Sequence, residues 1–227
     1  MNDAQEFGNW LLDLLSELTT SKRAKRSRLS SDAEQSGSIS SSVSNFFKFE
    51  LISCMSCPTS GCCHVAVKRE EIYLLQLNLI GDGKCNLNNL VQKFTATETL
   101  EDSEMAKCDR CGLKCISNRR IEINSAPTLL IVQLKRFDAS RRYLSNPASF
   151  PLTGFVVTAA SGAESIYDCV AVSEFIEAHY VTYGQRGELS SWFNFNDAKT
   201  LAITSETMQR NCKNNTQAYL LFYIRRT

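Results

Sequence analysis

No apolar run in this 227-residue chain approaches the ~20 residues that a membrane-spanning helix needs, so a membrane partner is not expected. A secretory leader is missing as well, because Met1 to Leu18 carries acids where a leader carries a basic start. Charge of one sign is also lacking: 25 Lys and Arg against 24 Asp and Glu leave a formal +1, too little to wrap nucleic acid. Histidine is scarce, with only His64 and His179 available for imidazole chemistry. These absences point to a cytoplasmic or nuclear setting, where ten cysteines serve as thiols and metal ligands rather than disulfides. A hydrophobic content of 43% is enough to bury a real core in one or two globular units.

The cysteines are the most informative residues present. Cys54-Met55-Ser56-Cys57 and Cys108-Asp109-Arg110-Cys111 are CxxC pairs about fifty residues apart, the pattern of two knuckles closing on one tetrahedral zinc. Cys54, Cys57, Cys108 and Cys111 are therefore the expected metal ligands, and a site of four thiolates is closed and structural. Cys62, Cys63 and Cys115 are spare thiols. Their simplest reading is as small buried hydrophobes, although Cys111 and Cys115 form a competing pair.

Four regions follow along the chain. Ala4, Phe7, Leu11, Leu14, Leu15 and Leu18 recur at helical spacing, so Asp3 to Leu18 is expected to be an amphipathic helix within region 1–20. Region 21–45 turns to Ser, Lys and Arg and reads as a flexible insert. Its run from Lys22 to Arg28 is either a nuclear import signal or, by default, a solvated linker. Region 46–120 carries short strands at Asn45 to Ser53, Val65 to Lys68 and Ile72 to Ile80, with the knuckles at turns. One helix interrupts it, since Leu87, Leu90, Val91 and Phe94 share a face after an Asn86 cap. Region 121–227 is mostly β; Leu129 to Leu134, Cys169 to Val172 and Tyr219 to Ile224 are apolar on both faces, as in central strands of a buried sheet.

Asp3-Ala4-Gln5-Glu6-Phe7, the two CxxC pairs, Pro127 with Leu134-Lys135-Arg136-Phe137, Phe150-Pro151, His179-Tyr180, Trp192 with Asn196-Asp197, and Ala218 to Tyr223 occur in one order. In that order and spacing the chain resembles the ubiquitin-specific proteases over nearly all of its length except the Ser-rich insert. The resemblance implies an α+β fold: a papain-like palm with an antiparallel sheet (121–227), a zinc-ribbon fingers subdomain (46–120), and a thumb reduced to the 1–20 helix. It implies a thiol-dependent deubiquitinase that binds ubiquitin and ubiquitinated proteins and needs no cofactor beyond structural zinc. His179 would be the base, Asn196 its orienting partner and Asp197 a supporting or alternative one, because a cysteine protease needs an imidazole held by a third polar group.

Two departures from that pattern matter. The family's nucleophile lies in a Gly-Asn-Thr-Cys-Tyr box upstream of the Asp-Ala-x-Glu-Phe helix, and none of the ten cysteines lies in such a box. This chain alone is thus expected to be inactive, the C-terminal portion of an enzyme. Around the base, the family reads His-Ser-Gly, a short loop and Gly-Gly-His-Tyr, whereas here Glu177-Ala178 precede His179. Side chains where backbone should approach substrate closely suggest instead a catalytically inactive ubiquitin binder. A zinc-ribbon interaction module is the third reading, and it leaves the closing strand pattern unexplained.

Overall fold

The computed structural model describes residues 46–81, 83–100, 106–115, 117–186 and 191–227. The expected Asp3–Leu18 helix and the 21–45 insert lie outside them. In chain order the strands are β1 (Phe49–Ser56), β2 (Val65–Ile72), β3 (Leu74–Asn78), β4 (Cys85–Asn86), β5 (Glu98–Leu100), β6 (Ala106–Lys107), β7 (Lys114–Cys115) and β8 (Ser117–Ile123). They continue as β9 (Leu129–Lys135), β10 (Ala148–Ser149), β11 (Phe155–Thr158), β12 (Glu164–Ile176), β13 (His179–Arg186), β14 (Ser191–Asn196), β15 (Lys199–Ile203) and β16 (Ala218–Arg225). Two helices are described, α1 (Leu87–Thr95) and α2 (Ser205–Asn211). The α+β expectation holds, with most of the weight on β. Among the described residues no helix is long and apolar enough to cross a membrane.

Two sheets carry the architecture. The larger runs β15-β14-β13-β12-β16-β9-β3, with β11 paired to β12. It is antiparallel except where β3 joins β9 in parallel. Its middle strands are apolar on both faces because both faces are covered. Leu130, Val132, Leu134, Val172, Leu221 and Tyr223 enter the main core, while Ile131, Leu220, Phe175 and Tyr219 form a second cluster on the other side. Each fully buried Leu, Ile or Val contributes roughly 1.5–3 kcal/mol, so this two-sided burial supplies most of the sheet's stability.

Helix α1 forms where expected. Asn86 caps it, accepting from the Asn88 N–H at 3.0 Å, and Leu87 and Leu90 are buried. The helix packs beside the smaller sheet, β2-β1-β8-β5, which is the base of the fingers. There β1 extends from Phe49 to Ser56, three residues beyond the expected end, in register with β2 and β8. The extension places Cys54 inside a strand, opposite Val67 and Arg120, and it decides which cysteines meet.

Candidate active site and metal centre

Strands β12, β13, β14 and β15 form two consecutive hairpins whose turns lie at one end of the sheet. The first turn has two residues, Glu177 and Ala178, with φ of 47° and 69°. Positive φ at both central positions is the type I′ pattern, which matches the twist of the flanking strands but normally favours Asn or Gly. Ile176 therefore pairs directly with His179. The second turn begins at Asp197, φ 50°, immediately after Asn196.

This arrangement brings the imidazole to Asn196. Thr182 pairs with Phe195, so one step along the ladder Val181 lies opposite Asn196, and His179 is a diagonal neighbour on the same face. His179 Nε2 and Asn196 Oδ1 are 2.8 Å apart. With Asn196 accepting, Nε2 carries the proton and Nδ1 is the ring atom left with a lone pair. Asp197 is also near, 3.9 Å from Nε2, but its side chain is 82% exposed and too distant for a hydrogen bond. The three expected residues thus meet at one point, with Asn196 as the bonded partner. The ring itself is 44% exposed and open to a reacting group.

Beneath this end of the sheet lies a buried polar network that the sequence reading did not single out. Arg136 is fully buried and donates only to backbone carbonyls: Nε to Ala218 (2.6 Å), Nη1 to Leu144 (3.0 Å) and Asn146 (2.9 Å), and Nη2 to Asn215 (3.0 Å). Asn215 accepts from the Gln217 and Ala218 N–H groups and donates Nδ2–H to Glu174 Oε1 at 2.5 Å. Glu174 is 4% exposed. Burial pushes its carboxyl above the ordinary value, against the opposing pull of Asn215 and Arg136. The signal available in sequence was a charged residue interrupting an apolar strand.

The fingers hold a second site. Cys57, Cys62, Cys108 and Cys111 have sulfurs within 4.8 Å of one another. Cys54, the expected ligand, lies outside this group and Cys62 stands in its place. A knuckle needs a turn, and Cys54 is held extended in β1. The turn is instead Pro58-Thr59-Ser60-Gly61, closed by Cys57 N–H to His64 O and Cys62 N–H to Thr59 O, each 2.9 Å. Pro, Ser and Gly between Cys57 and Cys62 were the missed signal, since Met55-Ser56 has no comparable turn chemistry. The second knuckle is as expected: Cys108 N–H donates to Leu113 O, and Gly112, at φ 70°, donates back to Cys108 O. Of the spare thiols, Cys63 is exposed, and the Cys115 side chain lies outside the described residues.

The spacing fits a tetrahedral ion. Four sulfurs at ~2.3 Å from zinc are separated from one another by roughly 3.8 Å. Cys62 and Cys108 are 3.7 Å apart, and Cys57 and Cys111 3.9 Å. Without a cation the crowding is unfavourable for thiolates: burial pushes Cys62 up to about 12. A bound divalent ion reverses that preference, because the thiolate is then its ligand.

A histidine bonded to an asparagine at one end of the larger sheet, and a four-thiol cluster that could hold a metal ion, are the two candidate sites of this fold. The sequence model described as "Ubiquitin carboxyl-terminal hydrolase" matches residues 1–223, and the chain belongs to that family. Ubiquitin carboxyl-terminal hydrolase 2 of Gallus gallus is 28% identical over 97% of this chain and 67% of its own length. Ubiquitin carboxyl-terminal hydrolase 3 of Homo sapiens is 31% identical over 62% of this chain and 28% of its own. Among solved structures, Ubp8 in a SAGA DUB module aligns over the whole chain with a TM-score of 0.76 at 24% identity, covering 51% of Ubp8. Ubp8 bound to monoubiquitin aligns over 81% of the chain with a TM-score of 0.65 at 25% identity, covering 41% of Ubp8. The chain thus spans at most about half of these solved relatives.

Proposed function

We propose that this chain carries the zinc-bearing fingers and the His-bearing palm of a thiol-dependent deubiquitinase, which hydrolyses isopeptide or peptide bonds after the C-terminal glycine of ubiquitin. The 2.8 Å contact between His179 Nε2 and Asn196 Oδ1 carries the reading. It leaves Nδ1 to take a proton from a thiol, and the resulting imidazolium then protonates the leaving lysine amine. Asn196 fixes the tautomer and the ring plane, and Asp197 lends nearby negative charge. In this reading the thiolate comes from sequence outside these 227 residues. Cys57, Cys62, Cys108 and Cys111 hold a structural zinc, which leaves no open position for chemistry. Ubiquitin is the partner, in the cytoplasm or nucleus, in keeping with the ubiquitin-bound relative.

A second reading, a ubiquitin binder without activity, draws on one observation: Glu177 and Ala178 place side chains in the turn before His179. Ubiquitin bearing a C-terminal electrophile separates the two. The complete polypeptide should gain the mass of one ubiquitin, and His179→Ala should abolish the gain. Reversible binding without added mass would reject the enzyme and leave the binder. The 227-residue chain alone should stay unlabelled.

A further inference from the structure

Asn196 stands where the pairing of its own strand with β13 has already stopped. The last ladder pair between β13 and β14 is Thr182 with Phe195; beyond it β13 runs on three residues to His179, whereas β14 has only Asn196 left. Asn196 is paired on its other side, with Lys199 of β15, and β15 is the outermost strand of the larger sheet. No ladder bond to β13 therefore resists an outward swing of the hairpin tip that carries Asn196 and Asp197. Such a swing would part Asn196 from His179.

The tie lies on the opposite face. Side chains alternate along a strand, so His179 and Asn196 share one face while Gly184 and Phe195 share the other. Gly184 is buried in mid-strand, between Ala171 of β12 and Phe193 of β14. It has no positive φ, so the backbone does not call for glycine, and glycine weakens a strand interior. The Phe195 ring calls for it instead: a Cβ at Gly184 would stand 3.4 Å from Phe195 Cε2 and 3.9 Å from Cδ2. Phe195 thus reaches diagonally across the ladder into the place of the missing side chain, as aromatic rings can, and so ties the two strands together at their last pair. Phe193 flanks it, with ring centroids 6.4 Å apart. The Phe195 residue remains 37% exposed, so cutting it back leaves no enclosed cavity.

We propose that Phe195, seated on Gly184, is a positioning residue: its ring clamps the end of β14 to β13 and so holds Asn196 within bonding reach of His179. The proposal rests on the assignment of His179 as the base and Asn196 as its partner. Its readout is the imidazole itself and needs neither ubiquitin nor a nucleophile. An enzyme that takes up no ubiquitin would reject the deubiquitinase reading and leave the clamp, and a failed clamp would leave that reading.

The experiment is a long-range proton–nitrogen correlation spectrum of the two imidazoles at pH 8, on the 227-residue chain loaded with zinc. The wild type should show His179 as a single Nε2–H tautomer, and its Phe195 ring protons should show nuclear Overhauser contacts to Gly184 Hα. Phe195→Ala should average the two ring nitrogens of His179, while His64 and the zinc content stay as in the wild type. Phe195→Tyr keeps the ring and should keep the single tautomer. Gly184→Val fills the ring's seat and should lose it, although a β-branched residue suits a strand better than glycine does. A glycine of merely local importance predicts the reverse, a more stable Gly184→Val chain with the wild-type His179 spectrum. That result would overturn the proposal, as would an unchanged His179 spectrum in folded Phe195→Ala or averaging in Phe195→Tyr. Should the variants not fold, the wild type decides: the ring contacts to Gly184 together with a single His179 tautomer uphold the clamp, and the lack of either sinks it.

Discussion

At the scale of single residues, Glu174 makes the sharpest prediction. Its carboxyl is shifted upward from the ordinary 4.5, chiefly by burial, so the folded chain holds the proton more tightly than the unfolded one. The stabilising contribution is therefore complete below the ordinary value and is lost as pH rises through the raised one. Urea midpoints of the wild type should fall from pH 4.5 upward relative to Glu174→Gln, whose midpoint lacks this component; parallel profiles would refute the shift. The cysteines make a second prediction. Cys62→Ser should lower bound zinc well below one equivalent per chain, whereas Cys54→Ser should leave it intact, as read by metal analysis of the purified protein. The opposite result would restore the ligand set that the CxxC spacing suggested. Cys54 was misjudged because spacing counts residues and ignores whether the chain between them can turn.

At the scale of elements, the Glu177-Ala178 turn carries strain. Ala at φ 69° sits in the left-handed region that glycine occupies without penalty. Ala178→Gly should raise unfolding stability by about 0.5–1 kcal/mol, the left-handed penalty less the entropy glycine adds to the unfolded chain. Denaturant titration measures it; a loss of stability would mean that the turn is not held at positive φ in solution. In the complete enzyme, glycine at 177 and 178 should also raise kcat/KM if the substrate tail passes this turn. Helix α1 shows what was legible at this scale. The Asn86 cap and the Leu87/Leu90/Phe94 stripe are local signals, and the helix formed where they placed it. Strand ends were less legible, because the end of β1 is set by pairing with β2 and β8 and not by its own residues.

At the scale of the molecule, the two sheets share one core, in which Phe49 and Ile123 of the smaller join Leu130 and Val132 of the larger, and none of the four clustered cysteines belongs to it. Stripping zinc removes the tie between the two knuckles, so in the proposed reading it should weaken ubiquitin binding about tenfold or more, since metal affinity here is also folding free energy. The His179 ring signals should remain, because the palm's core is independent of the thiols. Calorimetry with and without chelator, beside the imidazole spectra, reads both; unchanged affinity would place ubiquitin away from the fingers. Asn196→Ala tests the other end, and in the complete enzyme it should lower kcat/KM by roughly 10²–10⁴-fold. A smaller loss would assign the orienting role to Asp197.

The order of motifs by itself determined the family and singled out His179, Asn196 and Asp197 as candidates, while local apolar pattern and the Asn86 cap determined the central strands and the α1 helix. These depend on local pattern or on residue types that tolerate no substitute. Tertiary structure alone decided that Cys62 rather than Cys54 joins the thiol cluster, that the Asp197 carboxylate stands too far from the imidazole to bond it, and that Glu174 is buried on Asn215. Each of these depends on strand register and on which face a side chain takes, and register is settled by partners far away in the chain.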